Sequence, residues 1–217
     1  MRGPEPTVDN RRMNRRDDIM RLLPPPAREV PPADWSAVVA YLGADLPVGY
    51  KWFVETYGTG TLGAGGFDRM LFRHPNQVLA GRDIVGQMEF MRECLLGRRD
   101  RGHDSRPVFP EPGGLVGFAA SSEDFEFYFA AEPDTDPDAW PVVWHDFADY
   151  GDTRWAEFPQ GFERFLHDLI RGEIPKEVTG ESRGYTEFLP VEPGTRYHSV
   201  EGPVTDAGTA GAWRPVR

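Results

Sequence analysis

The stretch Leu42-Gly43-Ala44-Asp45-Leu46-Pro47-Val48-Gly49-Tyr50-Lys51-Trp52-Phe53-Val54-Glu55-Thr56-Tyr57-Gly58 decides the fold class, because it ends one helix and builds a second within seventeen residues. Upstream of it, Trp35, Val38, Val39 and Leu42 recur at i, i+3, i+4 and i+7. Asp34 stands ready to accept hydrogen bonds from the free amides that open a helix, and Gly43 stops it. Pro47 then offers a first-turn residue, and Leu46, Tyr50, Phe53, Val54 and Tyr57 form one apolar stripe that Gly58 ends. Two short amphipathic helices, packed side by side, follow from this spacing.

Past Gly58 the pattern changes. Phe67 to Phe72 reads as a strand, and Ile84, Met88, Met91 and Leu95 return to helical spacing over Ile84 to Leu96. Leu115 to Ala119, Phe125 to Ala130 and Pro141 to His145 are short runs rich in aromatic and β-branched residues, separated by turn-forming Ser, Asp and Pro. They read as strands of an antiparallel sheet. Pro159 opens a last helix whose Phe162, Phe165, Leu166, Leu169 and Ile170 sit at spacings 0, 3, 4, 7 and 8 before Gly172. One mixed α+β domain over residues 31 to 175 is expected. An Arg- and Pro-rich leader, residues 1 to 30, and a Gly- and Pro-rich tail, residues 176 to 217, are expected to be loosely ordered.

Composition narrows the function classes. The chain has 217 residues, 39% of them hydrophobic, with six Trp and fourteen Phe, enough apolar area for a core. Its single cysteine, Cys94, excludes an internal disulfide and suits a reducing, cytoplasmic setting, and no Cys/His set has metal-ligand spacing. Helical spacing makes Cys94 a small buried hydrophobe. No apolar run approaches the roughly 18 residues that a bilayer span needs. The net charge of −11 argues against nucleic acid as a partner. The 22 Arg against 2 Lys reflect coding background rather than a binding property.

Three motifs reduce to structure. Gly58-Thr59-Gly60-Thr61-Leu62-Gly63 copies the letters of a dinucleotide fingerprint but follows a helix and precedes a strand, the reverse of the required order, so it reads as a helix cap and flexible turn. Asp134, Asp136 and Asp138 alternate as in a calcium loop, yet Ala139 and His145 stand where Gly and Glu are needed. His145 beside Asp146 is adjacency in sequence and no dyad. Neither a catalytic residue nor a cofactor site is assigned.

The acidic bias is the informative feature. Ser121 to Glu157 carries eleven carboxylates against one base, Arg154, while Arg69 to Arg106 carries eight arginines against five acids. Charge segregated in this way steers an oppositely charged partner, and the plain alternative is a solvated face that keeps the chain soluble. The candidate partner-binding residues are Glu123, Asp124, Asp134, Asp136, Asp138, Asp146, Asp149 and Asp152.

The Leu42 to Gly58 stretch, with its helix, Leu-Pro, helix, Tyr-Gly order, resembles the entrance of the SUKH superfamily. That superfamily includes fungal cell-wall-synthesis regulators of the Smi/Knr type and many bacterial immunity proteins. The run Pro133-Asp134-Thr135-Asp136-Pro137-Asp138-Ala139-Trp140-Pro141-Val142-Val143, leading through Trp155 to Phe162-Glu163-Arg164-Phe165-Leu166, is similar to the later part of that family. Ser121-Ser122-Glu123-Asp124 departs from the family's Asn-Gly-Asp-like turn. The resemblance implies a mostly antiparallel sheet backed by N-terminal helices and a C-terminal helix, no cofactor, and no catalysis. It implies an immunity role in polymorphic toxin systems: binding and neutralising a cognate toxin, a basic nuclease domain among the candidates. A regulatory scaffold of the Smi/Knr type is the alternative, and a small hydrolase using paired carboxylates a third. The sequence does not fix the oligomeric state.

Overall fold

The computed structural model describes residues 8–64, 67–79, 81–121, 125–146, 155–175, 184–191, 197–199 and 213–215. Five helices among them are α1 (Val8–Leu22), α2 (Ser36–Leu42), α3 (Val48–Tyr57), α4 (Ile84–Asp100) and α5 (Phe162–Arg171). The strands are β1 (Gly60–Ala64), β2 (Phe67–Phe72), β3 (Gly114–Ala120), β4 (Phe125–Ala131), β5 (Val142–Asp146), β6 (Trp155–Phe158) and β7 (Glu187–Pro190), with a separate ribbon of β8 (Tyr197–Ser199) and β9 (Trp213–Pro215). The first seven strands form one sheet in the order β6-β5-β4-β3-β2-β1-β7, antiparallel at every step. The fold class is α+β, as the change of period predicts.

Strand alternation divides the sheet into two buried faces. Val116, Phe127, Phe129, Val142 and Trp144 enter the main core with Tyr50, Phe53 and Tyr57 of α3 and the apolar stripe of α5. Their neighbours Leu115, Tyr128 and Val143 point the other way and pack with Met91 and Leu95 of α4. A register shift in β3 between Gly117 and Ala119 sets both Phe118 and Ala119 into the main core. Opposite Tyr128, Gly117 lets α4 approach the strand: a Cβ there would stand 2.5 Å from Met91 Sδ and 2.9 Å from Met91 Cβ. Gly117→Ala is therefore expected to cost about 1–3 kcal/mol in urea unfolding, with Met91→Ala in the same chain returning part of the loss.

The described parts of the two terminal segments include regular structure packed on the domain. α1 is a helix, and Ile19 and Leu23, 0% and 1% exposed, belong to the main core. Its polar side docks on α5: Arg16 Nε donates to Glu163 Oε2 at 3.0 Å, and His167 Nε2 meets Asp18 Oδ2 at 2.8 Å. Arg28 donates to the Val191 and Thr59 carbonyls, tying the leader to one end of the β1-β7 pair. In the tail, Tyr185 is buried and β7 pairs with β1 from Gly60↔Pro190 to Gly63↔Glu187. The glycine-rich turn after Gly58 is thus a strand, since β1 is flanked on both sides. β6 also exceeds the expected strand set, α4 runs past Leu96 to Asp100, and α5 begins at Phe162 rather than Pro159.

Candidate functional site

The loop from Glu132 to Trp140, between β4 and β5, carries the acids that the structure exposes. Its shape is fixed by its own hydrogen bonds. Glu132 O accepts from Thr135 N at 3.2 Å, from Thr135 Oγ1 at 3.1 Å and from Trp140 Nε1 at 3.1 Å, and the Trp140 ring is buried in the main core. Asp136 Oδ1 accepts from Asp138 N at 3.0 Å and so opens the 3-10 turn Pro137–Ala139. These bonds hold the backbone, so the side chains project from a preorganised knuckle.

The predicted partner residues fall into four groups. Asp134 and Asp136 are exposed, together with Glu132, which had not been singled out. Among the described residues none of these three is held in an ion pair, so their charge remains available to a partner. Asp138 is half-buried, and its Oδ1 accepts from Val48 N at 2.7 Å. Because Val48 opens α3, this carboxylate satisfies a free amide at the positive end of the helix and is a structural link. Asp146 is 6% exposed at the end of β5, which takes it out of any docking surface. Glu123, Asp124, Asp149 and Asp152 lie outside the described residues.

Beneath the same strands lies a charged cluster that sequence reasoning missed. Glu126, counted among the acidic residues of the segment, is 5% exposed and points to the α4 face beside Tyr128, two residues on. Its Oε2 accepts from Arg98 Nη2 at 2.6 Å and from Tyr128 OH, and Arg98 Nη2 lies 3.3 Å from that hydroxyl. His145 Nδ1 stands 3.6 Å from the same oxygen, beyond hydrogen-bond length. The His145 ring stacks on Trp155 with centroids 3.8 Å apart, and the Arg106 guanidinium lies over the Trp155 ring, 4.7 Å from its centroid. Burial opposes the charge on Glu126, but the His145 imidazole, the Arg98 cation and the donors from Tyr128 and Arg98 outweigh it and hold the carboxyl below its ordinary range. Burial, and then the Glu126 charge, push the Tyr128 phenol well above its own.

This cluster fastens α4 to β4. Glu126 is closed to solvent and its Oε2 is already shared by two donors. Cys94, on the same helix, is half-buried rather than fully buried, and burial raises its thiol above the usual range. Among the described residues no group of three or more His, Cys, Asp or Glu is placed to hold a metal ion, and no helix is long and apolar enough to cross a membrane. Compared with protein-family models, curated proteins and solved structures, the chain matches none of them.

Proposed function

We propose that the chain is a non-catalytic protein-binding domain of the SUKH, Smi/Knr-like kind. In this reading it is an immunity protein that docks a basic toxin domain, a nuclease among the candidates, through the knuckle Glu132, Asp134 and Asp136. The observation that carries the reading is the combination of exposed carboxylates, in no ion pair among the described residues, with a hydrogen-bonded backbone anchored by Trp140. A preorganised row of like charges attracts a basic groove at long range and loses little entropy on contact. Further support comes from the order of elements, in which two short helices lead into an antiparallel meander closed by α5, the order that the Leu42 to Gly58 and Pro133 to Leu166 stretches imply.

The test is co-expression with a toxin gene found beside this one, and a neighbourhood without such a gene counts against the immunity reading. Cells are expected to survive toxin production only when the chain is present, and the two proteins are expected to co-purify. Death despite abundant folded chain, with no co-purification, would refute the immunity reading.

A further inference from the structure

Among the described residues, β2 and β3 meet at a seam marked by the registered pair Leu71↔Ala120. At this seam lies a cavity of about 20 Å³, lined by Leu71, Arg73, Ile84, Gln87, Gly117 and Ala120 among others. Two of these residues bring polar atoms that the described residues leave unmatched. Arg73 is 3% exposed. Its Nη1 donates to Leu79 O at 2.9 Å and Arg82 O at 3.1 Å, but its buried Nε has no acceptor among the described residues. Gln87, in the first turn of α4, has a buried Oε1 with no donor among the described residues. A buried donor without a partner costs about 1–3 kcal/mol, and more on a charged group, so an arrangement that leaves both unmatched is disfavoured.

We propose that the seam cavity binds one water molecule, which accepts from Arg73 Nε and donates to Gln87 Oε1. Size decides in favour of a single water, since one needs roughly 10–15 Å³ of such space and two would not fit. The chemistry agrees. A halide could accept from the guanidinium but would face the lone pairs of Gln87 Oε1, whereas water serves both atoms at once. The bound water ties the chain just past β2 to the first turn of α4 beside the seam, and it solvates a buried cation that pairs with no carboxylate among the described residues.

A crystal structure of the full chain, grown in sodium bromide, tests this directly. One density peak within hydrogen-bond distance of both Arg73 Nε and Gln87 Oε1, with no bromide anomalous signal, is the expected result. Bromide signal at that point, an empty cavity, or Arg73 Nε bonded to a protein carbonyl would each overturn the proposal. A second readout is amide exchange in Gln87→Met, which removes the water's acceptor while keeping the side-chain length. Amides flanking the Leu71 and Ala120 pair are expected to exchange about tenfold faster than in the parent, and unchanged exchange counts against the water.

Discussion

Replacing Glu126 with alanine is expected to lower the unfolding free energy by about 3–5 kcal/mol, the range for removing one partner of a buried ion pair. The loss comes less from the missing attraction than from Arg98, 8% exposed, left with its guanidinium in the interior beside Tyr128. If that is the cause, removing the second charge repairs it. Glu126→Leu combined with Arg98→Met is expected to recover most of the loss, because two apolar side chains then replace a pair whose desolvation was costly. Urea unfolding of the two variants and the parent reads this out. A surface acid would lose no more than about 0.5 kcal/mol, so the experiment separates a buried Glu126 from one on the solvated face.

The same group carries a pH dependence of known sign. Glu126 titrates below its ordinary value of 4.5 in the folded chain, so its contribution is fully present above that value and is lost as the pH falls through the lower, folded value. The difference in urea midpoint between the parent and Glu126→Gln is therefore expected to hold from pH 7 down to about 4.5 and to shrink on further acidification. A difference that grew as the pH fell would contradict the assigned shift.

Phe162→Ala is expected to cost about 3–5 kcal/mol, the range for emptying a buried aromatic site. Phe162 is 1% exposed, and its ring lies edge-on to Tyr50 at 5.3 Å, Phe118 at 5.6 Å and Phe72 at 6.4 Å, with Phe53 at 6.3 Å and Phe129 at 6.0 Å completing the shell. Edge-to-face rings add to the plain burial of apolar area. The position also matters locally, because Gly161 caps α5 without a side-chain hydrogen bond, so the first turn of α5 is held by this ring instead of a capping group. Phe162→Leu keeps much of the apolar volume and is expected to cost less. Thermal unfolding of the two variants measures the difference.

The elements that the sequence announces are those whose burial is periodic. In α5 all five residues of the 0, 3, 4, 7, 8 pattern are buried, and in α3 Tyr50, Phe53, Val54 and Tyr57 are. β1 hides because its core is small residues. Gly60 pairs with Phe72 on one side and Pro190 on the other, and a Cβ there would strike the Phe188 ring, so the position needs a residue with low strand propensity. α1 hides for a different reason: it reaches the core through Ile19, with Leu23 just beyond its last turn, and is otherwise fastened by polar contacts to α5, whose residues lie well over a hundred positions away.

The site was legible in part. Net acidity over Ser121 to Glu157 singles out a stretch of chain, but acidity cannot say which carboxylates are already engaged. Asp138 is committed to an amide 90 residues away, and Glu126 to a helix 28 residues away. For Glu126 a signal existed in Phe125-Glu126-Phe127-Tyr128-Phe129, where a charge sits on alternate positions with a tyrosine in a stretch otherwise made of phenylalanine. A charge in that setting points to a buried partner. The alternation alone does not name Arg98.

The most direct measurement is the affinity of the purified chain for the neighbouring toxin domain across a salt series, for the parent and for a variant carrying Glu132→Lys, Asp134→Lys and Asp136→Lys. The parent is expected to bind less tightly as salt rises, and the variant to bind on the order of 10–100-fold more weakly at low salt with a flatter salt dependence. Equal affinity and equal salt dependence in the two proteins, with both folded, would contradict docking through the knuckle.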